Sequence, residues 1–276
     1  MAYSAPRDAY SELRALAERA DPGGPGLTRH EARVFSQNGE DGVIAELLRR
    51  VGATTRSFAE IGCGTGAEAN CVFLADVLGF SGLFVEADPG PYAVLEAKYA
   101  HTDHVRTARA LAGPANVNDL LGGEERDVVS IDIDGADYWV WEALEARPRI
   151  VVVEYNASLP AARRLVQPLE AALETWDGTD YVGSSLGALR SLGEAKGYVL
   201  AHTDLTGVNA FFVRDDLAEA ALDGAEVPLR GPNLVLGGLR LEPDPKRRPY
   251  LDLDDPEVPW RPPGGPEPGR RRRLRG

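Results

Sequence analysis

The sequence predicts an open α/β domain: a mostly parallel seven-stranded sheet with an antiparallel last strand and helices on both faces. Three observations carry this. The apolar runs at 58–61, 83–85, 127–131 and 150–153 are short and continuous, as suits strands buried on both faces of a parallel sheet. Segments of helical period lie between them, the alternation expected of β/α crossovers. Two late runs, 198–202 and 208–214, flank a glycine-containing turn and read as an antiparallel pair that closes the sheet.

Taken in order, residues 11–19 form an amphipathic helix with Leu13, Leu16 and Ala17 on one side, and the Pro/Gly run at 21–26 breaks it. Residues 1–34 are therefore expected as a loosely attached arm. In the run Phe35-Ser36-Gln37-Asn38-Gly39-Glu40-Asp41-Gly42, Asn38 and Asp41 have the spacing of a helix start, and Val43, Ile44, Leu47, Leu48 and Val51 then share a face. That polar run reads either as a cap or as a cover over a ligand.

The first strand ends in the glycine-rich run at 62–66, and 67–78 is expected as the first crossover helix. Strand two follows at 83–89, a helix at 91–99, strand three at 104–110 and a polar loop at 115–121. Strand four spans 127–135 and ends in carboxylates; an aromatic-rich helix at 138–147 is closed by Pro148, and strand five spans 150–156. A helix at 185–196, with Leu186, Leu189 and Leu192 on one side, ends at Gly197. After the antiparallel pair, a short helix at 217–222 precedes a chain crowded with proline. The domain is expected to span 35–240, and 241–276 to be an unpacked Pro/Arg-rich tail. No internal repeat is visible.

Composition excludes several classes. With 276 residues and 43% hydrophobic content the chain can bury one substantial core. Two cysteines, Cys63 and Cys71, are too few for a disulfide framework or a four-ligand zinc site, which suits a reducing, cytoplasmic setting. No run approaches the length of a membrane span, and the N-terminus lacks the pattern of a secretory signal. A net charge of −13 argues against a nucleic-acid partner and leaves a small-molecule substrate. The one basic cluster, Arg270 to Arg273 with Arg275, reads as a solvated tail.

The functional signal centres on Glu60-Ile61-Gly62-Cys63-Gly64-Thr65-Gly66, an acidic strand end followed by alternate glycines that admit positive φ and close approach of a ligand. Gly62, Gly64 and Ala67 satisfy the dinucleotide fingerprint, with Glu86 in place for a ribose. Glu60, Gly62, Gly64 and Gly66 also satisfy acidic-x-Gly-x-Gly-x-Gly, which resembles the first motif of the class I S-adenosylmethionine (SAM)-dependent methyltransferases. The resemblance implies their Rossmann-like fold, SAM as cofactor, and a cofactor site at Glu60, Gly62, Cys63, Gly64, Gly66, Glu86, Ala87 and Asp132. It also implies an adenine contact in the loop at 115–121.

Asp132 and Asp134 stand two apart, so on a strand they face one side; Glu154 and Asn156 end the next strand. Converging oxygens of this kind can hold Mg²⁺ or another hard cation, with Asp134, Glu154 and Asn156 as ligands. They can equally bind substrate or act as a general base, or be satisfied structurally by backbone N–H groups. His202 is a second base candidate. The loop carrying Trp176, Asp177, Asp180 and Tyr181 is the expected acceptor site.

Together with Val85-Glu86-Ala87-Asp88-Pro89, the run Ser130-Ile131-Asp132-Ile133-Asp134-Gly135-Ala136-Asp137 and Val153-Glu154, these motifs resemble the FkbM-type methyltransferases over about residues 35–215. The chain departs from that family's Asp-Val-Gly-Ala-Asn and Lys-x-Asp-x-Glu-Gly patterns. The resemblance implies O-methylation of a small hydroxylated, or else amino, metabolite in natural-product or sugar metabolism, with Asp134, Glu154 and Asn156 catalytic. The alternatives are an NAD-dependent oxidoreductase and a non-catalytic SAM-binding protein of the same fold; no Tyr-x-x-x-Lys pair supports the former.

Overall fold

The computed structural model describes residues 26–222, 224, 226–227, 229–231 and 241–263. The expected helix at 11–19 and the basic cluster at 270–275 lie outside them. Among the described residues there are nine strands: β1 Ser57–Ile61, β2 Ser81–Glu86, β3 Val105–Arg109, β4 Val128–Ile131, β5 Ile150–Glu154, β6 Leu165–Val166, β7 Tyr198–Thr203, β8 Asn209–Arg214 and β9 Leu251–Asp252. The helices are α1 Glu40–Val51, α2 Val72–Asp76, α3 Pro89–Tyr99, α4 Val117–Leu121, α5 Asp137–Ala143, α6 Leu169–Ala172, α7 Leu186–Ala195 and α8 Ala218–Ala221.

Seven strands form one sheet in the order β3-β2-β1-β4-β5-β8-β7. The pairs among β1 to β5 are parallel, while β8 runs antiparallel to both β5 and β7. This is the Rossmann-like class I methyltransferase topology that the sequence resemblance implies. The order reverses between β1 and β4, and a crevice at the carboxyl ends of the strands is where such sheets bind ligands.

Alternation along the strands explains why both faces are covered. Phe58, Phe84, Val128, Ile150, Val152 and Phe211 point to one face, where they pack with α1, α2 and α3. Ala59, Ile61, Val85, Val129, Val151, Val153 and Phe212 point to the other, against α4, α5 and α7. Trp141 on α5 meets Phe212 at a ring separation of 4.7 Å, and Ser185 caps α7 by accepting from the Ala188 N–H at 3.2 Å.

Several elements differ from expectation, each for a local reason. The first crossover helix begins at Val72, not 67, because the Glu60 carboxylate takes the N–H groups of Asn70 and Cys71 at 2.7 and 2.8 Å and holds the preceding chain as a loop. Helix α1 starts at Glu40 after Gly39, at φ 100°, and not on an Asn38 cap. Asp41 instead accepts from the N–H groups of Val34, Phe35 and Ser36 at 2.7–2.8 Å, which curls the polar run around it. The expected polar loop at 115–121 contains α4, with Val117 and Leu121 buried. Strand four stops at Ile131, so Asp132 and Asp134 lie beyond it and do not share a strand face.

The unpacked tail expected from Leu241 is corrected for 241–263, which lie against the domain. Strand β9 pairs with β6, and Tyr250 is 1% exposed, its ring 5.0 Å from that of Tyr181. The Tyr250 hydroxyl accepts from the Val182 N–H at 3.0 Å and donates to the Asp180 carbonyl at 2.8 Å. Residues 26–34 are also attached: Leu27, Thr28, His30, Glu31 and Ala32 are buried, and the Ala32 N–H donates to the Gly39 carbonyl. Among the described residues no helix is long and apolar enough to cross a membrane.

Candidate functional site

A cleft of about 1130 Å³ opens at the carboxyl ends of β1, β2, β4 and β5. Its floor is the glycine loop, whose glycines divide between two duties. A Cβ on Gly62 (φ 81°) would lie 1.7 Å from the Asp132 carbonyl oxygen, and one on Gly66 (φ 68°) 2.6 Å from Leu95. Those two serve close packing. Gly64, at φ 54°, has nothing within 4 Å of its added Cβ, so its positive φ leaves backbone open to the cleft.

The N–H groups of the loop's three glycines are already engaged. Gly62 donates to the Val85 carbonyl at 2.9 Å, Gly66 to the Cys63 carbonyl at 2.9 Å, and Gly64 to Glu86 at 2.7 Å. The other Glu86 oxygen accepts from the Asp88 N–H at 2.7 Å. Glu86 is thus locked in place at the end of β2 and keeps acceptor capacity on both oxygens. Glu60 sits beneath the loop, its carboxylate turned to Asn70 and Cys71; burial outweighs those donors and pushes it up to about 7. Cys63 and Ala87 also line the cleft, and burial raises the Cys63 thiol.

At the far end of the cleft the chain turns sharply after β4. Asp134 has φ 55°, a left-handed conformation that Asp tolerates better than most residues. Asp137, 1% exposed, fixes the turn by accepting from the Ile133 N–H at 2.8 Å and the Gly135 N–H at 3.0 Å. Burial raises Asp137 to about 6 despite those bonds. The Asp134 backbone favours the charged form of Glu154, but burial and the neighbouring acids outweigh it. Desolvation, reinforced by their mutual charges and by Asp137, raises Asp132 and Glu154 well above the ordinary carboxylate range; Asp134 is raised by desolvation and the Glu86 charge.

The structure therefore brings together Glu60, Gly62, Cys63, Gly64, Glu86, Ala87, Asp132, Asp134 and Glu154, all of which line the cleft. Gly66 stands behind the loop. Asn156 is not among them. Its amide donates to the carbonyls of Asp180 and Val182 at 2.8 and 2.9 Å and its oxygen accepts from the Ser158 N–H at 2.9 Å, so it clamps a loop and leaves the catalytic and metal set. Among the described residues, no group of three or more His, Cys, Asp or Glu is arranged to hold a metal ion, and the Mg²⁺ expectation finds no site.

Of the acceptor-site expectations, Trp176 lines the cleft. Asp177 instead pairs with Arg248 at 2.6 Å, Asp180 accepts from the Asp244 N–H at 2.7 Å, and Tyr181 is buried with its hydroxyl on the Pro249 carbonyl at 3.0 Å. All three bind the C-terminal segment. His202 lies 2.8 Å from Glu31, 1% exposed, and burial lowers it to about 3, which removes it as a base. None of residues 115–121, where the adenine contact is expected, lines the cleft; Ala110, Leu111 and Ala112 line it just beyond β3.

Sequence reasoning missed Glu40 and Asn209. Both line the cleft, and the Asn209 amide donates to Glu40 at 2.9 Å. The signal for Glu40 was its place in the polar run with Gln37 and Asn38, which line the cleft as a cover should. For Asn209 it was an amide opening an otherwise apolar strand.

No known family profile matches the chain, the FkbM-type one included, and no curated protein matches it. Among solved structures it is similar to an O-methyltransferase from Bacillus cereus in complex with SAH, at 16% identity over 74% of this chain and 89% of that one, with a TM-score of 0.41. It is similar to the fibrillarin pre-rRNA processing protein of Methanococcus jannaschii at 13% identity over 64% and 76% of the two chains, TM-score 0.41. A third similar structure is assigned as a sarcosine dimethylglycine methyltransferase from Galdieria sulphuraria, at 16% identity and TM-score 0.41; the match takes in 58% of this chain and 60% of that one, less than two thirds of its length. At such identities the chemistry of the cleft has to be read from this chain's own residues.

Proposed function

We propose that the chain is a SAM-dependent methyltransferase acting on a small molecule. One observation carries the reading. Nine Asp and Glu residues line the cleft at the sheet's switch point, and among the described lining residues there is no Lys, Arg or His. A pyrophosphate would meet only like charge there, and the N–H groups of the three loop glycines, Asn70 and Cys71 are taken by Glu60, Glu86 and backbone carbonyls. SAM carries a sulfonium and an ammonium, both of which the acidic wall favours, against a single carboxylate, and has no phosphate.

The residues fit such a ligand. Glu86 offers two acceptors to the ribose hydroxyls, Gly64 leaves room beside it, and Ala87, Leu111 and Ala112 supply apolar surface for the adenine. Asp132 and Glu40 are the acceptors on the methionine side. When bound, SAM supplies an electrophilic methyl on a positively charged sulfur. The chain's contribution is to position the nucleophile and to accept its proton, for which Asp134 and Glu154 are the available carboxylates. The hydroxylated acceptor and the natural-product setting implied by the resemblance have no dedicated group in the cleft.

Thermal denaturation in the presence of SAM, SAH and NAD tests the reading. A ligand at a hundred times its Kd adds about 2.7 kcal/mol of stability. Stabilisation by SAM and SAH is expected; stabilisation by NAD alone would replace this reading with a dehydrogenase.

A further inference from the structure

We propose that the acceptor is a protonated amine with an apolar body, its nitrogen held by Glu154, Asp134 and the amide oxygen of Asn209. The inference rests on the methyltransferase reading and adds the substrate class.

Asn209 points to a ligand independently of the acids. It is 2% exposed, and its amide oxygen has no hydrogen-bond partner among the described residues. Because its Nδ2 faces the Glu40 carboxylate at 2.9 Å, the amide orientation is fixed and the atom left over is an acceptor. A buried acceptor without a donor is costly, so a donor from a ligand is the natural completion. Asn209 lies directly opposite Glu154 in the β5–β8 ladder, which puts both side chains on one sheet face.

Every side-chain group offered at this end is an acceptor: Glu40, Asp132, Asp134, Glu154 and the Asn209 oxygen. An alcohol brings one donor and no charge, whereas an alkylammonium brings three donors and the counter-charge that the acids lack. An anionic acceptor would meet only carboxylates. The rim supplies the remaining specificity: Leu173 is 42% exposed, and with Trp176 it gives an apolar body a place to lie. Burial and the neighbouring carboxylates raise Asp132 and Glu154, and an entering ammonium favours their ionised forms.

The reaction then balances without a further reactant. The bound ammonium gives one proton to a carboxylate, and the freed nitrogen lone pair forms the N–C bond to the methyl. The C–S bonding pair stays on sulfur, leaving a neutral thioether, and the product departs as a methylammonium.

The test uses the full chain. SAH is titrated first by calorimetry, and the SAH-loaded protein is then titrated with 2-phenylethylamine, 2-phenylethanol and 3-phenylpropionate. The amine is expected to bind at least tenfold more tightly than the alcohol, and the acid not at all. Asp134→Asn, at an exposed position with a backbone that Asn also adopts, and Glu154→Gln should each remove most of the amine's advantage while leaving the alcohol's affinity unchanged. Mass spectrometry after incubation with SAM should show one methyl added to the amine. Equal or tighter binding of the alcohol overturns the inference, as does displacement of the amine by SAH, which would assign the acceptor atoms to the cofactor's own ammonium. Failure of SAH to bind sinks the methyltransferase reading itself; SAH binding without amine preference sinks only the substrate class.

Discussion

Glu86 accepts the Gly64 N–H at 2.7 Å, tying the end of β2 to the one glycine of the loop that faces open space. The bond aims a carboxylate at the cleft before any ligand arrives. Glu86→Gln keeps the size of the side chain but turns one acceptor into a donor and removes the charge. SAM affinity should fall by about 1–3 kcal/mol, the loss usual for a charge-assisted hydrogen bond. Calorimetry that shows unchanged affinity would remove Glu86 from the ribose site.

The glycines predict opposite phenotypes. Gly62→Ala forces a Cβ into the Asp132 carbonyl, where neither backbone can yield, and should prevent stable folding. Gly64→Ala meets no atom and pays only for its left-handed backbone, about 1–2 kcal/mol. The second variant should fold, with a modestly lower Tm, and lose SAM affinity. Folding of both variants with equal SAM affinity would show that the loop approaches no ligand.

Buried acids give the ligand-free chain a characteristic pH response. Glu60 is raised from 4.5 to about 7 and Asp137 from 3.8 to about 6, so over that window the folded state holds more protons than the unfolded one. Their contribution to stability is present in full below about pH 4 and is lost as pH rises through 6 to 7. His202, lowered from 6.5 to about 3, acts in the opposite sense, its contribution being lost as pH falls. Comparing the wild type with Glu60→Gln separates the two: the variant should lose less stability between pH 5 and 8. Equal slopes in chemical denaturation would mean that Glu60 is ionised throughout.

The C-terminal segment should matter to stability. Tyr250→Phe leaves the buried Val182 N–H and Asp180 carbonyl without the hydroxyl between them, a loss of about 1–3 kcal/mol. A chain ending at Arg240 forfeits the whole ring and the β6–β9 pair, and should melt well below the full chain. Identical melting curves would show that 241–263 add nothing to the fold.

Much of this was legible because strand cores speak for themselves. Runs such as Ile150-Val151-Val152-Val153 bury both faces, and the acids at or beside the ends of β1, β2, β4 and β5 mark the ligand side. Less visible was whatever depended on a partner distant in sequence. The start of α2 depends on where the Glu60 carboxylate finds its donors, ten and eleven residues on. Asn156 has the composition of a ligand, yet its duty is set by carbonyls 24 and 26 residues away. Tyr250 stands in a proline-crowded stretch that reads as loose, and its contacts with Asp180, Tyr181 and Val182 show otherwise.

The contact with Val182 also sets an order of assembly. The pairing of β1, β2 and β3, the glycine loop and Glu86 all draw on chain that leaves the ribosome early, and domains generally form from the N-terminus as they emerge. The loop between Trp176 and Val182 waits for a hydroxyl made 68 residues after Val182. A nascent chain therefore exposes the glycine loop and Glu86 well before the wall facing them, and the cleft acquires its full shape only once Tyr250 has emerged.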